Sequence, residues 1–285
     1  MVIKTTDTKL IKSLFKKFTL PQPNSHKGQN GKVLIIGGSS LFHAASLWAA
    51  EVASHFVDIV HYSSTEENRQ VFLSLKKKFI NGIIVPQKEL IHYLKEDDAI
   101  LIGPGMMRDE EEGKHTYELT HKLIKDFPEK RFVFDAGSLQ MMKPGWLKKL
   151  ETPAIITPHQ IEFENLFNVL IREKSLEQKQ TIIRETAKKY HCVILLKAIV
   201  DIISDGDKTY VIEGGNQGLT KGGTGDVLAG LTVSFYARND CLNSAVFASI
   251  LLKTTADNLF ESKGYWYNIS DIINRLSEGL KKIIL

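Results

Sequence analysis

Cysteine is nearly absent from this 285-residue chain: only Cys192 and Cys241 occur. Two cysteines form no disulfide framework and no zinc-ligand spacing. Cys192 lies in an apolar strand candidate and reads as a small buried hydrophobe. No apolar run reaches the length needed to cross a membrane. Residues 1–17 are basic but lack an apolar core, so they do not resemble a secretory signal. Charge of one sign is also lacking. With 37 Lys and Arg against 33 Asp and Glu, the net charge is +4. The lysines are scattered or sit in short runs such as Lys76-Lys77-Lys78, which reads as a solvated helix face. No basic stripe interleaved with aromatics suggests nucleic-acid binding. Internal repeats, low-complexity segments and linkers are missing as well. An apolar fraction of 43% and a charged fraction of 25% suit a globular chain. A cytoplasmic enzyme is the expectation, with no nucleic-acid or membrane partner.

What is present is strand and helix alternation. Residues 1–20 have the spacing of a short amphipathic helix ended by Pro21 and Pro23. Continuous Val/Ile/Leu runs follow at 33–36, 57–62, 82–86, 98–103, 131–135, 154–157 and 192–197. Such runs are expected of parallel strands covered on both faces. A small-residue helix is expected from His43 to His55, with further helices at 117–127, 161–170 and 175–190. Residues 200–206 and 209–212 read as a hairpin across Asp205-Gly206. The pattern predicts one doubly wound α/β domain over residues 1–285, its sheet mostly parallel with helices on both faces.

Polar and glycine residues fall at the carboxyl ends of these strands: Gly37-Gly38-Ser39, Gly103-Pro104-Gly105, Asp135, Thr157-Pro158-His159 and Lys197. That edge carries the ligand crevice in open parallel sheets. Residues 214–230 add seven glycines in seventeen positions and one carboxylate, Asp226. The apolar run after Asp226 predicts a buried helix, with Gly222-Gly223-Thr224-Gly225 at its amino end. Free amides and the positive end of the helix dipole make such a place an anion site. A carboxylate there can take a proton from a hydroxyl that attacks a phosphoryl group. The loop is not a Walker A loop, because no Gly-Lys-Ser/Thr follows.

Each of these residues also has a plainer reading. Asp226 could be a helix-end charge, Asp135 a side-chain helix cap, His159 a surface turn residue, and Lys197 a lysine that snorkels out of a strand.

The motifs together resemble the ribokinase-like NAD(P)H-hydrate dehydratase family. They are His26-Lys27-Gly28 with Val33 to Ser39, then Gly103-Pro104-Gly105, Asp135-Ala136, Thr157-Pro158-His159 with Glu162, Lys197, and Asn216 to Gly230. They run in family order from about residue 26 to 230. The resemblance implies a ribokinase-like fold and a hydro-lyase that uses ADP or ATP, with Mg²⁺. Its substrate would be the S-epimer of hydrated NADH or NADPH, which is phosphorylated on the ring hydroxyl and then loses phosphate. It implies catalytic roles for Asp226, Gly223 and Gly225. Substrate contacts fall at Ala45, Gly105, His159 and Asp226. Nucleotide contacts fall at Lys197, Ala198, Ile199, Val200, Asp201, Thr224 and Gly225, and magnesium or phosphate at Asn216 and Glu162. It implies a homo-oligomer, dimer or tetramer. The epimerase often fused to such chains is not expected within residues 1–285 and could be a separate protein. Three departures stand out. Asp135-Ala136-Gly137 replaces Asp-Ala-Asp, Lys197-Ala198 replaces Lys-Gly, and Phe42-His43-Ala44-Ala45 replaces Tyr-x-Gly-Ala. A small-molecule kinase on the same scaffold, acting on a hydroxymethylpyrimidine, thiazole or pyridoxal type of alcohol, is the first alternative. A nucleotide-binding protein without turnover is the second.

Overall fold

The computed structural model describes residues 1–75 and 81–285, so the Lys76-Lys77-Lys78 run lies outside the described residues. The first half of the chain forms β1 (Val2–Lys4), α1 (Thr8–Phe15), β2 (Lys32–Ile36), α2 (Ala44–Ala53), β3 (Ile59–Ser63), α3 (Glu66–Leu75), β4 (Gly82–Ile84), α4 (Leu90–Glu96), β5 (Ala99–Ile102) and α5 (Glu110–Asp126). The second half forms β6 (Arg131–Phe134), α6 (Ala136–Met141), β7 (Ile155–Ile156), α7 (Gln160–Phe167), α8 (Leu176–Tyr190), β8 (Val193–Leu196), β9 (Asp201–Ser204), β10 (Thr209–Glu213), α9 (Thr224–Tyr236), α10 (Cys241–Lys263) and α11 (Ile269–Ile284). No described helix is long and apolar enough to cross a membrane.

The ten described strands join one sheet in the order β1-β10-β9-β8-β7-β6-β5-β2-β3-β4. Neighbours are parallel except where β9 pairs with β8 and β10. The β9–β10 pair is the expected hairpin. Its turn is closed by Asp205, whose carboxylate accepts from the amides of Asp207 and Lys208. From β2 the chain winds outward through β3 and β4. It then returns to the other side of β2 and winds outward again through β5, β6, β7 and β8. The reversal lies between β2 and β5, and in open sheets of this kind ligands bind beyond the carboxyl ends of the strands near such a point.

Period-two side-chain alternation fills both faces of this sheet. Val33 and Ile35 belong to one apolar cluster, with residues of α1, α2, α3, α9, α10 and α11. Leu34 and Ile36 belong to the other, with residues of α4, α5, α6, α7 and α8. Each fully buried Leu, Ile or Val contributes roughly 1.5–3 kcal/mol, so these two slabs hold the strand ends in place.

The first twenty residues correct the expectation of a single helix. Val2–Lys4 pairs in parallel with β10, and Ile3 is fully buried in the core. The helix starts only after Asp7, whose carboxylate accepts from the amide of Leu10 at 3.0 Å. A three-residue edge strand beside a helix is too short to show its own periodicity.

Candidate active site

The loops after β2 and β5 meet backbone to backbone at the reversal point. The amide of Gly38 donates to the carbonyl of Pro104 at 2.7 Å. A β-carbon on Gly37 would lie 2.3 Å from that same carbonyl oxygen, so only glycine fits there. One on Gly105 would lie 2.8 Å from the Phe42 carbonyl and 3.1 Å from the β-carbon of Ala45. Ala45 and Gly105, both expected to touch substrate, are therefore neighbours across this bank. The Gly137 departure has a steric reason: a β-carbon there would meet the Met106 carbonyl oxygen at 2.2 Å.

Gly223 is the N-cap of α9, at φ 104°, and makes no side-chain cap bond. Thr224 turns its hydroxyl back to the carbonyls of Leu219 and Lys221, at 2.8 and 2.5 Å. Among the described residues nothing accepts from the amides of Gly222, Gly223 or Gly225. The helix thus presents bare donors and the positive end of its dipole. Asp226 lies in its first turn. Burial pushes the Asp226 carboxyl up, the charges of Asp135 and Glu162 add to this, and Lys197 and its own amide oppose; the result is about 7. A carboxylate poised there is a suitable general base near neutral pH.

Asp135 stands at the N-cap of α6 but makes no cap bond, which corrects the reading of it as a side-chain cap. Its Oδ1 instead accepts from Lys197 Nζ at 2.6 Å and from Thr157 Oγ1 at 2.8 Å. Lys197 does not snorkel to solvent, since its side chain is only 19% exposed. Burial pulls its ammonium down, yet Asp135, Glu162 and Asp226 outweigh that and hold it above its ordinary value. The Lys197 amide donates to the Pro158 carbonyl at 2.8 Å, which seats the lysine beside the Thr157-Pro158-His159 turn.

His159 is more than a surface turn residue, because it caps α7. Its Nδ1 accepts from the Glu162 amide at 3.2 Å, and Glu162 Oε2 accepts from the His159 amide at 2.9 Å. An accepting Nδ1 leaves Nε2 to carry the proton. Glu162 Oε1 also accepts from Gln140 Nε2 at 3.0 Å.

Between the turn after β8 and the Gly214–Gly225 segment lies a cavity of about 590 Å³. Its lining includes His159, Lys197, Ala198, Ile199, Thr224 and Gly225. Val200 does not line it, and neither do Ala45, Gly105, Glu162 or Asp226. Asp201 folds the loop back on itself: Oδ1 accepts from the Ala198 amide at 3.0 Å and Oδ2 from Ser249 Oγ at 2.7 Å. Burial raises the Asp201 carboxyl, and Lys253 pulls against it.

Lys253, buried in α10, donates to the Ile199 carbonyl at 2.9 Å and lies 3.6 Å from Asp201. Asp257, one turn on, accepts from the Gly215 amide at 3.0 Å. Sequence reasoning missed both residues. The signal was a single lysine in the apolar and small-residue run 244–256.

Asn216 lines the cavity, but its amide is already engaged. Both lone pairs of Oδ1 are taken, by the Gly218 amide at 3.0 Å and the Tyr267 hydroxyl at 2.7 Å, and Nδ2 donates to the Ala256 carbonyl. Among the described residues no group of three or more His, Cys, Asp or Glu could hold a metal by itself. Glu162 accepts one hydrogen bond on each oxygen and keeps acceptor capacity, which suits an ion bound through one or two carboxylates and mainly through phosphates.

A family model described as NAD(P)H-hydrate dehydratase matches residues 33–278. The bifunctional NAD(P)H-hydrate repair enzyme Nnr of Archaeoglobus fulgidus is 30% identical over 264 residues, covering 90% of this chain and 52% of that protein. The chain thus spans about half the length of such bifunctional relatives. The ADP-dependent (S)-NAD(P)H-hydrate dehydratase of Nitrosopumilus maritimus is 29% identical over 294 residues, covering 99% of this chain and 98% of that one. Among solved structures, the Bacillus subtilis ADP/ATP-dependent NAD(P)H-hydrate dehydratase co-crystallised with ATP and Mg²⁺ superposes with a TM-score of 0.79. That match has 22% identity and covers 97% of both chains. At that identity it speaks for the fold alone.

Proposed function

The chain belongs to the NAD(P)H-hydrate dehydratase family, and from this we propose that it uses ADP or ATP to dehydrate the S-epimer of hydrated NADH or NADPH. The observation that carries the reading is Asp226 in the first turn of α9, beside unpaired amides, with its carboxyl near 7. The hydrated ring bears a hydroxyl, which is a poor leaving group. Asp226 takes its proton as the oxygen attacks the terminal phosphoryl group of the nucleotide. The amides of Gly222, Gly223 and Gly225 meet the charge on the transferring group. AMP or ADP departs. The ring-nitrogen lone pair then expels phosphate, and loss of a proton from the neighbouring carbon restores the double bond.

The 590 Å³ cavity falls in the size range of small-molecule sites. It supports placing the nucleotide along Lys197 to Asp201, with its phosphates towards Thr224 and Gly225. Ala45, Gly105 and His159 then face the hydrated dinucleotide. Magnesium would arrive with the phosphates, held by Glu162 rather than Asn216, and would supply charge neutralisation.

The test is recovery of the reduced-nicotinamide absorbance from hydrated NADH with Mg²⁺ and either nucleotide. Asp226→Asn should lower turnover about 10³-fold, within the range for loss of a general base, while ADP affinity changes less than about threefold. Recovery with neither nucleotide, alongside phosphorylation of a vitamin alcohol, would replace the proposal with a kinase.

A further inference from the structure

One ammonium, Lys197, bonds to Asp135 at 2.6 Å and also feels the charges of Glu162 and Asp226. That is a strange endowment for a crevice proposed to take two polyanions. The lysine is also in a costly place. Its Nζ lies 3.4 Å from where a β-carbon on Gly225 would be, at the positive end of the α9 dipole. Dipoles repel a cation there unless an anion is to sit between them. Stability gives no reason for the arrangement, since apolar substitutes for buried ion pairs are often as stable. What keeps the ammonium in position is Asp135. That residue is 1% exposed, caps no helix, and offers the same oxygen to Lys197 and Thr157.

We infer that Asp135 is a positioning residue for the phosphoryl-transfer reaction: it moors Lys197 against the amino end of α9, where the ammonium meets the nucleotide's phosphates. The inference rests on the reading of Asp226 given above and assigns Asp135 a role that acts through Lys197. The groups facing Asp226 are Asp135 at the end of β6, Glu162 on α7 and Lys197 after β8, with His159 capping α7 next to Glu162.

The experiment is a double-mutant cycle on Mg·ADP affinity by calorimetry, with kcat and the KM for ADP measured alongside. Lys197→Gln should weaken ADP binding about tenfold, the scale of a lost charge-assisted hydrogen bond. Asp135→Asn should weaken it severalfold in the wild-type background and leave it unchanged in the Lys197→Gln background. There no ammonium is left for residue 135 to hold. The loss should appear in the KM for ADP more than in kcat. A purely structural role would lower stability and kcat without coupling to residue 197. Thr157→Val, which deletes one hydrogen bond to the same oxygen, should show a smaller loss of the same non-additive kind, and it keeps the test alive if Asp135→Asn does not fold. Additive losses in the cycle would overturn the mooring, as would recovery of the Asp135→Asn defect by excess magnesium, which would make the residue a metal ligand. Wild-type protein that shows the coupled ADP pattern but restores no hydrated NADH would leave the mooring standing and remove the reaction.

Discussion

Two regions of the carboxyl edge, the nucleotide bank and the bank from β2 and β5, are held in shape by different means. The nucleotide bank is tied down by side chains reaching from α10: Ser249 to Asp201, Lys253 to Ile199 and Asp257 to Gly215. In the bank from β2 and β5 backbone lies on backbone, Gly38 to Pro104 and Gly105 against Phe42, and Ser39, Ser64 and Glu112 add side-chain ties to the same loop. It leaves Leu41 and Phe42 64% and 51% exposed. The difference teaches where precision is invested. Charged anchors fix the loop that would set the phosphates relative to Asp226, and fixed geometry is what an in-line transfer needs. The other bank depends on missing side chains at Gly37 and Gly105, where no rotamer change can make room for a β-carbon.

The largest effect should come from cutting an anchor. Lys253→Met leaves Asp201 buried without its cation, which costs about 3–5 kcal/mol. Denaturant unfolding should show that loss, and the nucleotide KM should rise at least about tenfold, while an intact nucleotide KM would break the comparison. Next in size is a gain. In the folded chain the Asp226 carboxyl sits near 7, against an ordinary 3.8. The folded state therefore holds the proton more tightly, and ionising the group costs stability progressively from about pH 4 to pH 7, then no further. Asp226→Asn escapes that cost. Its stability should exceed the wild type's by as much as about 4 kcal/mol above pH 7, with the gap closing near pH 4. A pH-independent difference would show that residue 226 carries no such burden.

On the other bank, Gly37→Ala should cost about 1–3 kcal/mol, because the Pro104 carbonyl must shift to admit a β-carbon. Its KM for the hydrated dinucleotide should rise while that for ADP stays within about twofold. The smallest effect belongs to Phe42→Ala: within about 0.5 kcal/mol by unfolding, as for other exposed positions, with no change in nucleotide KM. A nucleotide effect from either residue would mean that the banks are not independent.

Much of this was readable from the chain because strands buried on both faces print continuous apolar runs, and the residues after them print the crevice edge. The Asp226 loop was legible for a local reason: glycine density followed by an apolar helix. The remaining features depend on pairings that sequence does not display. Val2–Lys4 is a strand only because β10 lies beside it. Asp135 caps nothing because Lys197, sixty-two residues later, takes its oxygen. The Asn216 amide was available to a metal until Tyr267 and Ala256 folded against it. Lys253 appeared as one lysine in an apolar helix, and its meaning came from the loop it reaches.

The most direct measurement is the hydrated-NADH recovery assay run on wild type and Asp226→Asn with equal, saturating ADP or ATP. The wild type should restore the absorbance with at least one nucleotide, and the variant should do so about 10³-fold more slowly, with ADP still bound. Equal rates in the two proteins would contradict this.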